Sequence, residues 1–419
     1  MTEQVACASG LTEPPPVTCA SHRPKLVVRD LAKYFPVGGT LLDRVLGRQP
    51  LVRAVDGVDF TIRAGEVFGL VGESGSGKTT VGRLSVGLLA PSRGEVLYEG
   101  QPVTTRMERR LRRRLQIIFQ DPLASLNPAM TIYEGIEHAL LIHEPGLDRA
   151  GRRARVYAAM EKVGLAPPET LAGAYPGDLS GGQRQRAVIA RAMVLGPDFV
   201  VADEPVSMLD MSIRARVLRL LLDLKQEMGL TYLFITHDLA TARFVCDRVG
   251  VMYLGQLVEV GPVDEVFERP LHPYTKALMR AVPVPDPRLV RPKELPRGEI
   301  PDAVRPPTGC RFHPRCPEAL PECGWEPRDL ADLYERHALE LEGALNLREV
   351  PEARTLVVPD SPVFRKLLDA ERAARTPLGL AVEEVRPVGG VVEVRFRDPA
   401  PVPEVEVGNR RVRCLRVAG

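Results

Sequence analysis

Apolar and polar positions alternate along this chain in blocks that predict strands and helices in turn. Leu26-Val27-Val28 reads as a first strand, and Ala54 to Ile62 repeats its apolar positions with the period of two expected of a half-buried strand. Glu66-Val67-Phe68-Gly69-Leu70-Val71 is almost continuously apolar, as a strand covered on both faces would be. From Thr131 to Ala174 apolar and charged residues recur at helical spacing, and Gln183 to Met193 continues the pattern. Phe199 to Ala202 then predicts a strand, Ser212 to Met228 a helix, and Thr231 to Ile235 another strand. Strands alternating with helices predict an α/β fold built on a parallel sheet.

Outside these blocks the pattern loosens. Met1 to Pro24 carries Glu3 and Pro14-Pro15-Pro16 without the basic, apolar, small-residue order of a signal peptide, and predicts a disordered tail. Val37 to Pro50, with Gly38-Gly39, predicts a surface loop. Past about Pro262 prolines become frequent. Arg106, Arg109, Arg110, Arg112, Arg113 and Arg114 form a basic run with two readings. One is a phosphate or lipid patch. The other, favoured by Leu111 and Leu115 at i,i+4, is the solvated face of a helix.

Composition changes the picture little. The 419 residues hold 56 basic and 54 acidic side chains, a net charge of +2. That balance gives no bulk electrostatic attraction for nucleic acid, and no nucleic-acid partner is expected. No stretch approaches the ~20 apolar residues of a membrane span, so any membrane role is expected to run through partner proteins from the cytoplasmic face. Seven cysteines, an odd number in a long chain, argue against a disulfide scaffold.

Gly72-Glu73-Ser74-Gly75-Ser76-Gly77-Lys78-Thr79 fits the pattern G-x-x-x-x-G-K-[ST] directly after the strand ending at Val71. Glycines let backbone N–H groups turn around phosphate oxygens, and the next helix offers its positive N-terminus. Lys78 is expected to reach the β- and γ-phosphates and Thr79 to ligate Mg²⁺, with Thr80 completing the loop's contacts. Downstream, the apolar run Phe199 to Ala202 ends in Asp203 and Glu204. Acids at the C-terminal end of a buried parallel strand lie where open α/β sheets bind ligands. Asp203 is the candidate for the Mg²⁺ shell and Glu204 for polarising the attacking water, two tasks that need carboxylates.

Leu179-Ser180-Gly181-Gly182-Gln183 turns a phosphate-loop ATPase into a recognisable family: with these residues the chain resembles the ATP-binding cassette (ABC) proteins. Gln120 after Ile117-Ile118-Phe119 matches their Q-loop glutamine, Ser207-Met208-Leu209-Asp210 their D-loop, and His237 after Phe234-Ile235-Thr236 their switch histidine. The resemblance implies a parallel core sheet, an antiparallel subdomain and a helical subdomain, here about residues 121–195 of a nucleotide-binding domain at 25–265. It also implies a head-to-tail dimer in which Ser180, Gly181, Gly182 and Gln183 of one subunit, with Asp210 nearby, cap ATP held by the other. His237 would contact the γ-phosphate and Gln120 would join the Mg²⁺ site. Tyr34 or Phe35 would stack on adenine.

Three further stretches are similar to the oligopeptide, dipeptide and nickel importer branch. They are Phe119 to Pro128, Pro270 to Thr275, and Pro306-Pro307-Thr308-Gly309-Cys310 running through Arg315-Cys316-Pro317 to Cys323. The likeness spans roughly residues 25–341, with 266–341 as the branch's C-terminal region and 342–419 as a small α+β extension beyond it. Within the extension, Phe364 to Ala374 predicts a helix, and Gly379 to Val385, Gly390 to Arg397 and Val405 to Val417 predict strands. Cys310, Cys316 and Cys323 have two readings: soft-metal ligands, which as a set of four would hold a [4Fe–4S] cluster or zinc, or a metal-free remnant. Branch members often carry a fourth cysteine after an Arg-His pair. Here Arg336-His337 is present, Leu341 stands at that place, and His337 is a substitute ligand on the first reading.

The resemblance implies an ATPase energising import of oligopeptides or dipeptides, with nickel or sugars as alternative cargo. Its implied partners are two transmembrane permeases, a second and non-identical ABC ATPase, and indirectly an extracytoplasmic substrate-binding protein. A soluble ABC ATPase acting on DNA or ribosomes is the rival class. Such proteins insert long coiled coils or carry two cassettes, whereas the interval from Gln120 to Ser180 is compact and holds no sustained heptads.

Overall fold

The computed structural model describes residues 23–38, 49–281, 298–338, 347–350 and 353–418, with the side chains of 337 and 338 excepted. The expected tail lies almost wholly outside them, as do most of the loop at 37–50 and Leu341.

Five parallel strands form the centre: Leu115–Ile118, Phe199–Asp203, Thr231–Thr236, Val67–Val71 and Arg248–Tyr253, in that spatial order. Val67–Val71, Phe199–Asp203 and Thr231–Thr236 are buried at every residue, because helices and a second sheet cover both faces and their apolar runs suit that place. On one face the antiparallel sheet of Leu51–Arg63, Pro24–Pro36, Arg93–Tyr98 and Gln101–Pro102 packs down, with Phe60 stacked on Phe68 at 5.0 Å between ring centres. The opposite face carries the helices. Ile132–His143, Arg149–Lys162 and Gly181–Met193 contribute Ile136, Leu140, Val156, Met160, Val188 and Ile189 to a core shared with Met211–Met228.

Helix ends follow local chemistry. Thr131 and Glu134 close a capping box at the start of Ile132–His143, satisfying donors that the first turn leaves free. The basic run forms the short helix Arg109–Arg114, but it is not merely solvated. Arg114 pairs with Asp198 and Glu99, and Arg113 donates to the carbonyl of Leu195 and meets Glu144. Leu111 packs partly into the core, while Leu115 already belongs to the edge strand.

Beyond the central unit, Arg348–Val350, Thr355–Pro359, Val391–Phe396 and Val382–Val388 make a separate antiparallel sheet. Its core of Leu356, Phe364, Leu368, Val394 and Phe396 also takes Leu330 and Tyr334. The helix Pro327–Ala338 therefore packs with the extension rather than with the segment before it. Two strand expectations need correction. Gly379 to Ala381 is helical, within Pro377–Ala381, because Thr376 caps it by accepting from the N–H of Gly379. Val405 to Val417 is a hairpin, Glu404–Val407 and Arg410–Arg413, followed by a helical turn at Leu415–Ala418. That hairpin leaves the extension and joins the central sheet, Arg410–Arg413 pairing with the edge strand Gln256–Pro262. Arg410 there sits 3.6 Å from Glu259, which is fully buried, and so supplies a charge that the edge strand lacks.

Candidate nucleotide site

The phosphate loop springs from the buried strand Val67–Val71 and ends in the helix Lys78–Ser85. Its glycines are needed by geometry. A Cβ on Gly77, at φ +102°, would stand 2.0 Å from the carbonyl oxygen of Ala54, and one on Gly72 would stand 2.1 Å from that of Met252. Lys78 folds back with Nζ 2.9 Å from the carbonyl of Gly72, 2.8 Å from that of Glu73 and 3.4 Å from Ser76 Oγ. The ammonium is thus kept inside the loop, where burial lowers its pKa against the opposing charges of Glu204, Asp203 and Glu73.

The two acids stand across from the loop. Thr79 Oγ1 donates to Asp203 Oδ1 at 3.0 Å. Burial holds the Asp203 carboxyl above the ordinary range; the Thr79 hydrogen bond works against this, and the neighbouring Glu204 charge adds to it. Glu204 sits at φ +49°, a left-handed conformation uncommon for a non-glycine residue, pinned by its N–H to the carbonyl of Ile235 at 2.9 Å. Its Oε2 accepts from Gln120 Nε2 at 3.0 Å and lies 3.1 Å from His237 Nδ1. Residues brought together from 72–80, 120, 203–204 and 237 therefore meet at one place.

Most of them line a cavity of about 610 Å³, walled by Gly72, Glu73, Ser74, Gly75, Gly77, Lys78, Thr79, Thr80, Gln120, Glu204 and His237 and closed by Val52, Ala54, Leu239, Leu278 and Ala303, with Asp203 buried behind Thr79. The cavity's size suits a nucleotide. Ser76 is buried behind the loop. Neither Tyr34 nor Phe35 is in this wall. The Tyr34 hydroxyl is drawn to Asp56, 2.5 Å away, while the apolar end of the cavity is built by Val52, Ala54, Leu278 and Ala303. Phe35 lies under Lys33 Nζ, 5.3 Å from its ring centre.

Ser180 to Gln183 and Asp210 also lie outside the cavity wall. Ser180 and Gln183 form a capping box at the start of Gly181–Met193, and a Cβ on Gly182 would meet Ile213 at 2.8 Å. Asp210 caps Met211–Met228 by accepting from the N–H groups of Ser212 and Ile213 at 3.1 and 3.0 Å, which lowers its pKa. Beside them Met208 and Met211 are 63% and 83% exposed, more than isolated apolar side chains need be.

Three contacts from the C-terminal region reach the phosphate loop and the strand beside it, and none is legible in the motifs. Arg315 Nη1 is 2.9 Å from Glu73 Oε2, and the N–H of Glu73 donates to Tyr274 Oη at 3.0 Å. Arg311 donates to Asp56, the same carboxylate that receives Tyr34. Tyr253, Tyr274 and Phe312 pack together behind these contacts, with ring centres 4.6 to 5.3 Å apart. The segment from Cys310 to Cys316 is thereby tied to the phosphate loop at Glu73 and to the strand Leu51–Arg63 at Asp56.

Residues 55–207 match a family profile described as ABC transporter, and residues 258–323 match one described as the oligopeptide/dipeptide transporter C-terminal region. A putative peptide import ATP-binding protein of Brucella ovis is 47% identical over 320 residues, 76% of this chain and 97% of that protein. This chain belongs to the ATP-binding subunits of ABC transporters, in their oligopeptide/dipeptide family. The oligopeptide transport ATP-binding protein AppF of Bacillus subtilis is 45% identical over 73% of this chain and 93% of its own, and OppF of Salmonella typhimurium 50% over 69% and 87%. Among solved structures, the ATP-binding cassette MJ0796, a dimer in a post-hydrolysis state bound to ADP and Pi, superposes with a TM-score of 0.50 at 28% identity, over 57% of this chain and 98% of that one. As an ABC ATPase the chain works with ATP and Mg²⁺. No described helix is long and apolar enough to cross a membrane.

Proposed function

We propose that this subunit hydrolyses ATP to power the import of oligopeptides or dipeptides. The observation that carries the reading is the placing of Gln120 and His237 each about 3 Å from the Glu204 carboxylate, at the mouth of the phosphate loop. Lys78 and the loop N–H groups would hold the β- and γ-phosphates, and Thr79, Asp203 and Gln120 would hold Mg²⁺, which would neutralise phosphate charge. Glu204 takes the proton of the attacking water, and His237 and Gln120 orient its carboxylate through the contacts they already make. Exposed Met208 and Met211, next to Ser180 and Asp210, support a face that closes on a second cassette, where Ser180, Gly181, Gly182 and Gln183 cap the partner's ATP from a helix N-terminus.

The partners on this reading are two permeases, a second and non-identical ATPase subunit, and a binding protein outside the membrane, with this chain on the cytoplasmic face. Peptide cargo rests on the likeness to AppF and OppF. Cys310, Cys316 and Cys323 keep both readings, iron–sulfur ligands or a metal-free remnant; among the described residues no three His, Cys, Asp or Glu side chains are grouped to hold a metal ion. Uptake of a labelled tripeptide by cells carrying the intact chain, Lys78→Ala, or no chain is the test. Uptake lost in the last two supports the reading; peptide uptake unchanged, with nickel or sugar uptake lost instead, overturns the cargo.

A further inference from the structure

The nucleotide cavity has two chemically different ends. At one, Gln120, Glu204 and His237 stand at the mouth of the phosphate loop, with Leu239 two residues beyond His237. The other is built by Val52, Ala54, Leu278 and Ala303, four side chains without a polar atom. Val52 and Ala54 lie on the strand Leu51–Arg63, where alternation puts both on the face opposite Arg53. Leu278 and Ala303 come from far along the chain, in the C-terminal region.

Both of these distant residues sit on fastened backbone. Leu278 lies on the helix Pro273–Ala281. The first turn of that helix is tied to the phosphate loop, because Tyr274 Oη accepts from the N–H of Glu73 at 3.0 Å. Just before the helix, Glu259 accepts from the N–H groups of Leu271 and His272. The carbonyl of Ala303 accepts from the N–H of Arg53 at 3.1 Å, and Arg53 stands between Val52 and Ala54. Asp302 bends the chain there by accepting from the N–H of Val304 at 2.9 Å. Leu278 and Ala303 are half-buried and pack against the same apolar core. Half-buried apolar side chains on a fixed backbone make a pre-formed wall, and a ligand that covers them removes apolar area from water.

An ATP molecule with its γ-phosphate at Glu204 and His237 and its β-phosphate in the loop would extend its ribose and base away from these residues. The apolar faces of the purine would then meet the apolar end. We propose that Leu278 and Ala303, with Val52 and Ala54, form the slot that takes the purine of ATP. The C-terminal region then holds the base as well as bracing the phosphate loop. The proposal rests on the reading of this cavity as the ATP site and adds residues to its base end, where neither Tyr34 nor Phe35 lines the wall.

The test is calorimetric titration of the full chain with MgATP and with magnesium tripolyphosphate, which has three phosphates and no base. Wild type is compared with Leu278→Ala, which thins the wall, and Ala303→Leu, which fills the slot. ATP affinity is expected to fall about threefold to tenfold in Leu278→Ala and about tenfold or more in Ala303→Leu. Tripolyphosphate affinity is expected to stay within about twofold of wild type in both, and ATP turnover to show a raised KM with kcat kept, since the base is remote from the bond that breaks. ATP affinity unchanged in both variants would overturn the slot. Equal losses for ATP and tripolyphosphate would also overturn it, by showing that these residues act on the phosphate loop alone. Failure of wild type to bind either ligand would overturn the nucleotide reading itself. Should a variant fail to fold, photolabelling of wild type with 2-azido-ATP, whose reactive group is on the base, decides. Label on peptides containing Leu278 or Ala303 is expected; label confined to other segments would overturn the proposal.

Discussion

Replacing Arg315 with Met should loosen the phosphate loop without touching ATP. Arg315 is 9% exposed and its partner Glu73 25% exposed, with 2.9 Å between them, so the pair is shielded on one side and wet on the other. A hydrogen bond involving charged groups contributes ~1.5–3 kcal/mol, and the solvent at Glu73 places this one near the lower end, about 1.5 kcal/mol. Met keeps the aliphatic stem over Tyr253, whose ring centre lies 5.9 Å from the guanidinium. The loop keeps two other ties, Tyr274 Oη at the N–H of Glu73 and Lys78 at its carbonyl. If the whole of the lost energy reappears as the cost of ordering the loop around ATP, affinity falls about tenfold, so a threefold to tenfold weakening is expected. Fluorescent-nucleotide titration of Arg315→Met, Glu73→Gln and the double variant checks this, with the two single changes coupled by about 1 kcal/mol. Additivity within ~0.3 kcal/mol would refute the idea that the C-terminal region steadies the loop through this pair.

Lys78→Ala removes the buried ammonium that faces the phosphates and should weaken ATP binding by at least an order of magnitude, measured by the same titration. Gly77→Ala should abolish nucleotide binding, since its Cβ would lie 2.0 Å from a backbone oxygen that cannot swing away; ATP affinity within twofold of wild type would contradict the geometry. Because burial raises the Asp203 pKa, its carboxyl binds a proton at a higher pH than an ordinary aspartate. The charged form that Mg²⁺ needs is present above that pKa and is lost as pH falls through it. Mg²⁺-dependent binding should therefore weaken on acidification before ordinary carboxylates titrate, a step that Asp203→Asn removes. Arg410→Ala strips Glu259 of its counter-charge while leaving it the N–H groups of Leu271 and His272, and should cost about 2 to 3 kcal/mol in urea unfolding.

The phosphate loop, the acids after Phe199–Ala202 and the helix opened by Ser180 were legible because each is a local event: a strand ending, a turn, a helix starting. Their order along the chain was enough to bring Gln120, Glu204 and His237 to one cavity. Tyr34 and Phe35 could not be told apart because their strand has register shifts at Val28/Leu31, Leu31/Ala32 and Lys33/Tyr34, so alternation does not tell which aromatic faces inward. The hairpin at Glu404–Arg413 alternates in the same way whether it pairs within the extension or on the edge of the central sheet, and no local signal chooses. Arg315 was illegible for the same reason: its partner Glu73 lies in another segment, and their pairing leaves no mark in spacing.

ATP turnover by Glu204→Gln is the most direct test of the central claim that this chain is a working half-site. The change keeps the shape and the hydrogen bonds that Gln120 and His237 can offer, and removes the proton acceptor. The account predicts ATP binding close to wild type, turnover lower by about a hundredfold or more, and a cassette dimer that persists while ATP is bound. Turnover equal to wild type would contradict it and remove Glu204 from the chemistry.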